Sequence, residues 1–89
     1  MMAAALEFPN PSRSFDERRN AVRFIGYDDM FQVPFFVEAG ALSSFGMSAE
    51  SEAECLSAFD ALRGSIHNIA RKAYSRGGSI PYTLTAADF

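Results

Sequence analysis

The chain has one histidine, His67, and it lies four residues from both Arg63 and Arg71. On a helix that spacing makes neighbours of the three, in a row that also takes in Asp60 and Tyr74. A cationic row of this kind can hold a phosphate or carboxylate, because guanidinium forks match those groups through two parallel hydrogen bonds. Arg63, His67, Arg71 and Tyr74 are therefore the candidate ligand- or anion-binding set. The competing reading is a solvated helix flank in which Arg63 reaches Asp60. Two flanking arginines also lower the histidine pKa, which makes the imidazole a poor general acid.

Other reactive side chains offer less. Cys55 is the lone cysteine; it falls on the apolar stripe described below, beside Glu52 and Glu54, so it reads as a small buried hydrophobe. Asp16-Glu17 and Asp28-Asp29 are acidic pairs, but a magnesium or calcium site needs several converging oxygens. Adjacent acids in a strand or turn diverge, and Arg18, Arg19 and Arg23 stand ready to pair with the first set. Gly77-Gly78 follows a helix, whereas a phosphate cradle precedes one, and no lysine trails it. The segment RRNAVRFIGY loosely mimics the basic and aromatic pattern of RNA-binding sheets, with Phe24 better placed in a core beside Val22. No catalytic residue, metal site or cofactor is assigned from the sequence.

Small residues form the other distinctive face. Ser57, Ala61, Gly64, Ser65 and Asn68 cluster opposite the apolar stripe, and an exposed helix has little use for a glycine that costs up to about 1 kcal/mol against alanine. A second backbone approaching there explains it, so Ala61, Gly64, Ser65 and Asn68 are the expected interface of a symmetric homodimer. An ordinary helix of modest composition, or a bend at Gly64, is the alternative.

These side chains need a scaffold, and the composition supplies one. Among 89 residues, 48% are hydrophobic and nine are Phe, enough for a core in a single domain spanning 1–89, with residues 1–5 expected to fray. A net charge of −3 argues against nucleic-acid binding, which relies on a basic face. No apolar run approaches the ~18 residues of a membrane span, and MMAAALEF lacks the features of a signal peptide. With one thiol, the expected setting is a reducing cytoplasm.

The amphipathic pattern from about 49 to 76 fixes the architecture. Cys55, Phe59, Leu62, Ile66, Ile69 and Ala73 recur at three- and four-residue steps, one stripe of a long helix. Acids crowd its start (Glu50, Glu52, Glu54, Asp60) and bases its end (Arg63, Arg71, Lys72, Arg76), opposing the helix dipole. Ser51 with Glu54 has the capping-box form. At 1.5 Å per residue such a rod runs about 40 Å, whereas a seven-residue strand spans about 23 Å. It must overhang, bend near Gly64 or pack elsewhere.

Strand periodicity appears twice. Asn20–Ile25 alternates with Val22 and Phe24 on one side; Phe31–Val37 does so with Phe31, Val33, Phe35 and Val37. Gly26–Met30 between them reads as the turn of an antiparallel hairpin, about 20–37. Pro34 places its strand at an edge or on a bulge. Leu6–Phe8 is a short strand, Asn10–Glu17 a loop, Glu38–Phe45 a helical turn, and about 79–84 a last strand. The sum is an α+β fold: a small antiparallel sheet of three to five strands with one long C-terminal helix on one face.

Four segments, FPNPSRSFDERRNAVRFIGYD, FFVEAGAL, CLSAFDALRGSIHNIARKAY and YTLTAADF, together resemble a bacterial family catalogued as domain of unknown function 1488. The resemblance runs from Leu6 onward in order. It implies a compact α+β fold in stand-alone cytoplasmic proteins, and no reaction, cofactor or catalytic residue to carry over.

Function is ordered accordingly. A non-enzymatic interaction or regulatory module, with an unknown protein partner or a second copy, comes first. A small-ligand or anion-binding protein using Arg63, His67, Arg71 and Tyr74 comes second. An enzyme comes last, since it would need distant groups such as Asp16, Tyr82 and His67 to converge.

Overall fold

In a computed structural model the chain is described over residues 6–78 and 80–89. The expected fraying of 1–5 and the start of the last strand at Ser79 lie outside the described residues. Five strands form one sheet: β1 (Leu6–Glu7), β2 (Arg13–Asp16), β3 (Ala21–Asp28), β4 (Phe31–Glu38) and β5 (Tyr82–Leu84). Helices α1 (Ala39–Ser43), α2 (Glu52–Ala61) and α3 (Arg63–Ser75) lie between β4 and β5, and a 3-10 turn at Ala86–Asp88 follows.

The alternation read in the sequence builds the centre. β3 and β4 pair antiparallel over their full length, Val22 opposite Val37 and Phe24 opposite Phe35, so residues of one parity line the helix-covered face. The strand continues through Gly26–Asp28, and the turn shrinks to Asp29-Met30. Asp29 takes a φ of 58°, a conformation that its short polar side chain tolerates. β1 and β2 lie end to end along the outer edge of β3, pairing with Tyr27–Asp28 and with Ala21–Phe24. β2 falls in the stretch expected to be a loop. Its four residues RSFD carry one apolar side chain, too little periodicity to register.

Pro34 stands in an interior strand, not at an edge. It lies opposite Ile25 and beside a stretch that β5 does not reach, since that pairing begins at Phe35. Its missing N–H therefore interrupts no ladder. β5 runs parallel to β4 where an antiparallel sheet was expected. The reason is the connection: α2 and α3 carry the chain back from the Glu38 end to the hairpin-turn end, so the next strand starts where β4 starts. Pro81, with no N–H to donate, shortens that strand to three residues.

The long helix is two helices. α2 ends and α3 begins at Leu62, whose backbone leaves the helical region (φ −106°, ψ 12°). A straight rod would overrun the sheet; the break, two residues before Gly64, lets both halves bury their stripes. Cys55, Ala58 and Phe59 face inward from α2, and Ile66, Ala70 and Ala73 from α3. Ser51 caps α2 as expected, its hydroxyl accepting from Glu54 N at 3.1 Å, while the Glu54 carboxylate accepts from Glu50 N rather than from Ser51.

The core fills the space between helices and sheet: Val22, Phe24, Val33, Phe35 and Val37 from the strands meet Leu42, Phe59, Ile66 and Leu84. Each of these contributes roughly 1.5–3 kcal/mol over exposure. Gly26 is demanded by packing, because a Cβ there would lie 2.9 Å from a Phe8 ring carbon and 3.0 Å from a Leu6 methyl. Among the described residues no helix covers the other sheet face. There Phe36 is buried by its neighbours and by the Arg19 guanidinium, 4.2 Å above its ring.

Candidate functional site

The basic flank of α3 is folded into the scaffold. His67 stacks on Phe8, ring centroids 3.9 Å apart and planes within 8°, and its edge approaches Phe24 and Phe59. It is half-buried against an aromatic wall rather than solvated. Desolvation, assisted by the Arg63 and Arg71 charges, lowers its pKa from 6.5 to about 4, so it is neutral at physiological pH. The lowering by two arginines was legible in the sequence; the larger cause, burial against Phe8, was not.

The other three members of the set have protein partners. Arg63 donates to Asp60 at 2.7 Å, and Arg13 holds the same carboxylate through two bonds of 2.9 and 2.7 Å. Hydrogen bonds from Arg13, joined by the Arg63 charge, keep Asp60 ionised below its ordinary range. Arg71 donates through Nε to the Leu6 carbonyl at 3.1 Å and through a second nitrogen to Asn68, closing the edge of β1. The Tyr74 hydroxyl donates to Asp28, a bond that raises its pKa. The structure thus places Arg63, His67 and Arg71 along one flank, and separates Tyr74 toward the hairpin turn.

Ala61, Gly64, Ser65 and Asn68 are all exposed. Gly64 occupies the first turn of α3, directly after the break, and nothing lies within 4 Å of where its Cβ would be. The break supplies a local reason for glycine there, since helix propensity costs least at a terminus. Cys55 is buried, donates weakly to the Ala49 carbonyl, and has its thiol pKa pushed up by burial and by Glu54. It lacks the electropositive setting of a reactive thiolate. Among the described residues no cluster of three metal-ligating side chains occurs, and no helix is long and apolar enough to cross a membrane. Asp16 accepts from the Arg19 backbone at 3.1 Å and faces its guanidinium at 3.7 Å, which organises the β2–β3 turn.

A feature missed in the sequence lies at the β3–β4 turn. Met30 is 91% exposed and Phe31, its neighbour, 76%. Periodicity assigns Phe31 to the core face, correctly as to side, but the helical layer does not extend over it. Tyr74 binds Asp28 and its ring meets Tyr82 edge-on at 5.9 Å. The end of α3 and the start of β5 therefore sit at this same end, where Ile80 is 58% exposed. Next to the turn runs a groove lined by Glu7, Asp28 and Asp29 with Pro9 and Tyr27. Three carboxylates and no cation line it. The surface combines negative charge with uncovered apolar side chains, a pairing suited to binding rather than to bond-making. Its sequence signal is faint: an apolar pair, Met30-Phe31, directly after two acids, Asp28-Asp29.

Comparison with known proteins agrees with the fold and adds no activity. Residues 6–85 match the family described as "Protein of unknown function (DUF1488)", and the chain belongs to that family. No curated protein matches. The crystal structure of a protein of unknown function from the DUF1488 family of Shewanella loihica PV-4 is similar, with a TM-score of 0.78 over 96% of this chain and 94% of that one. The two sequences are 15% identical, so the likeness is one of fold alone.

Proposed function

We propose, for this member of the DUF1488 family, a non-enzymatic interaction module that docks a cationic, partly apolar segment of another protein at the end of the β3–β4 hairpin. One observation carries the reading. Met30 and Phe31, adjacent and 91% and 76% exposed, stand beside a groove whose charged lining is Glu7, Asp28 and Asp29.

Aromatic and Met side chains are enriched at the centres of interfaces, where removing them from water supplies most of the binding energy. The carboxylates attract and orient a basic partner, aided by the chain's net charge of −3, and discriminate against an acidic one. The two residue types best suited to catalysis support the same reading, because His67 is stacked in an aromatic wall and Cys55 is buried.

The test is fluorescence anisotropy with two labelled amphipathic peptides, one of Lys and Leu, the other of Glu and Leu. The Lys peptide binds the wild type saturably and more weakly as salt rises; Phe31→Ser weakens it by roughly tenfold or more, and the Glu peptide does not bind. Equal binding to Phe31→Ser overturns the assignment. So does a wild type that sediments as a dimer and becomes monomeric in Phe31→Ser, which would give the surface to a second copy.

A further inference from the structure

We infer that the gap between β1 and β2 is a second, independent site: a pocket for a small organic anion, an apolar or aromatic body ending in a carboxylate or phosphate. The pocket has a volume of about 140 Å³ and opens beside the middle of β3, under the connection that carries Asn10 and Ser12.

Sheet geometry creates it. The Asn20 carbonyl accepts from Ala39 N at 3.0 Å, so Asn20 and Ala39 form a hydrogen-bonded antiparallel pair. Because such pairs alternate, the even-numbered residues of β3 bond to β4 and the odd-numbered ones turn their N–H and C=O toward the opposite edge. On that edge Tyr27 meets Glu7 of β1, while Arg23 and Ala21 meet Ser14 and Asp16 of β2. Between them Ile25 has no strand partner. Continuing the Arg13–Phe24 register brings Ser12 opposite Ile25, so the chain leaves the sheet there and the side chains of Ser12, Ser14, Arg23 and Ile25 gather around the opening.

The charge around the gap selects the ligand. Two arginines line the pocket and no carboxylate does, although the chain as a whole is acidic. Arg13 turns its guanidinium to Asp60 on the helix-covered face, so Arg23 supplies the positive charge at the pocket. Arg23 is exposed and makes no ion pair among the described residues. Ser12 and Ser14 add hydroxyl donors. An anionic group therefore finds a free guanidinium fork and hydroxyls in one place. Ile25 and Tyr27, on the sheet face without a helix, supply the apolar wall. The volume matches a single ring or a short chain.

Amide chemical-shift titration of the full chain tests this with benzoate, phenyl phosphate, benzamide and benzylammonium. Benzoate or phenyl phosphate shifts the Ser12, Arg23 and Ile25 amides saturably below about 10 mM, an affinity in keeping with so few ligand atoms. Comparison of the two shows whether carboxylate or phosphate is preferred; benzamide and benzylammonium leave the amides unmoved. Arg23→Gln, at an exposed position, keeps the remaining spectrum and weakens binding by roughly tenfold. The inference falls if benzamide binds as well as benzoate, if Arg23→Gln binds like the wild type, or if no amide shift saturates. It falls equally if the shifts map to Arg63 and Arg71, which would return anion binding to the helix flank.

Discussion

Replacing His67 by Phe should flatten the acid side of the stability profile. The imidazole titrates at 6.5 when exposed and at about 4 in the fold. Below 6.5 the unfolded chain binds a proton that the folded chain refuses. Stability is therefore fully present above 6.5 and is lost as pH falls toward 4. The full difference corresponds to about 3.4 kcal/mol. The ring is half-buried, and hydration of its exposed edge screens the charge, so about half of that, roughly 1.5–2 kcal/mol, is expected between about pH 7 and pH 4.5. For a domain of this size the melting temperature falls by roughly 6–15 °C. His67→Phe keeps a flat ring on Phe8 and cannot protonate, so its loss over the same interval stays below about 0.5 kcal/mol. Asp60 does not interfere, because its pKa is held below 3.8 by Arg13 and Arg63 and its contribution is lost only at lower pH. Urea denaturation of both proteins at several pH values gives the comparison, and an NMR titration of the imidazole gives the midpoint directly. Parallel profiles, or a midpoint near 6.5, refute the reasoning.

Three further outcomes follow from packing. Gly26→Ala should destabilise by roughly 1–3 kcal/mol in denaturant titration, because the new methyl meets Phe8 and Leu6; by displacing Phe8 it should also raise the His67 midpoint. Gly64→Ala should stabilise by a few tenths of a kcal/mol, at most about 0.5, since the position is open and in the first turn of α3; a destabilised variant would show that something approaches there in solution. Cys55 should react with a thiol reagent at least about 100-fold more slowly in the native protein than in denaturant, in keeping with its burial under α2; labelling at equal rates would place the thiol at the surface.

Where periodicity was strong, the sequence was sufficient. Val22 and Phe24 against Phe35 and Val37, and the stripe from Cys55 to Ala73, each bury one face, and burial enforces the register that alternation predicts. The Ser51 cap was equally legible, because it rests on a contact three residues long. β2 was not: four mostly polar residues become a strand only because β3 offers them an edge.

The candidate site divides along the same line. The neighbourhood of Arg63, His67 and Arg71 follows from helix geometry alone, and so does the sign of the histidine shift. That Phe8 would lie flat on His67, that Arg13 would reach across to Asp60, and that Arg71 would cap β1 are contacts between segments tens of residues apart. The exposure of Met30 and Phe31 is likewise a matter of where the helical layer stops.

Taken alone, the amino-acid order determined the secondary structure with strong periods, the two-layer α+β plan and the identity of most core residues, since these depend on interactions within a few turns or on which face is apolar. Tertiary structure decided the parallel sense of β5, the break at Leu62, the gap at Ile25 and which polar groups stay free. Those features arise from fitting a rod of fixed rise onto a shorter sheet and from the paths of the connections, and no local window of residues contains them.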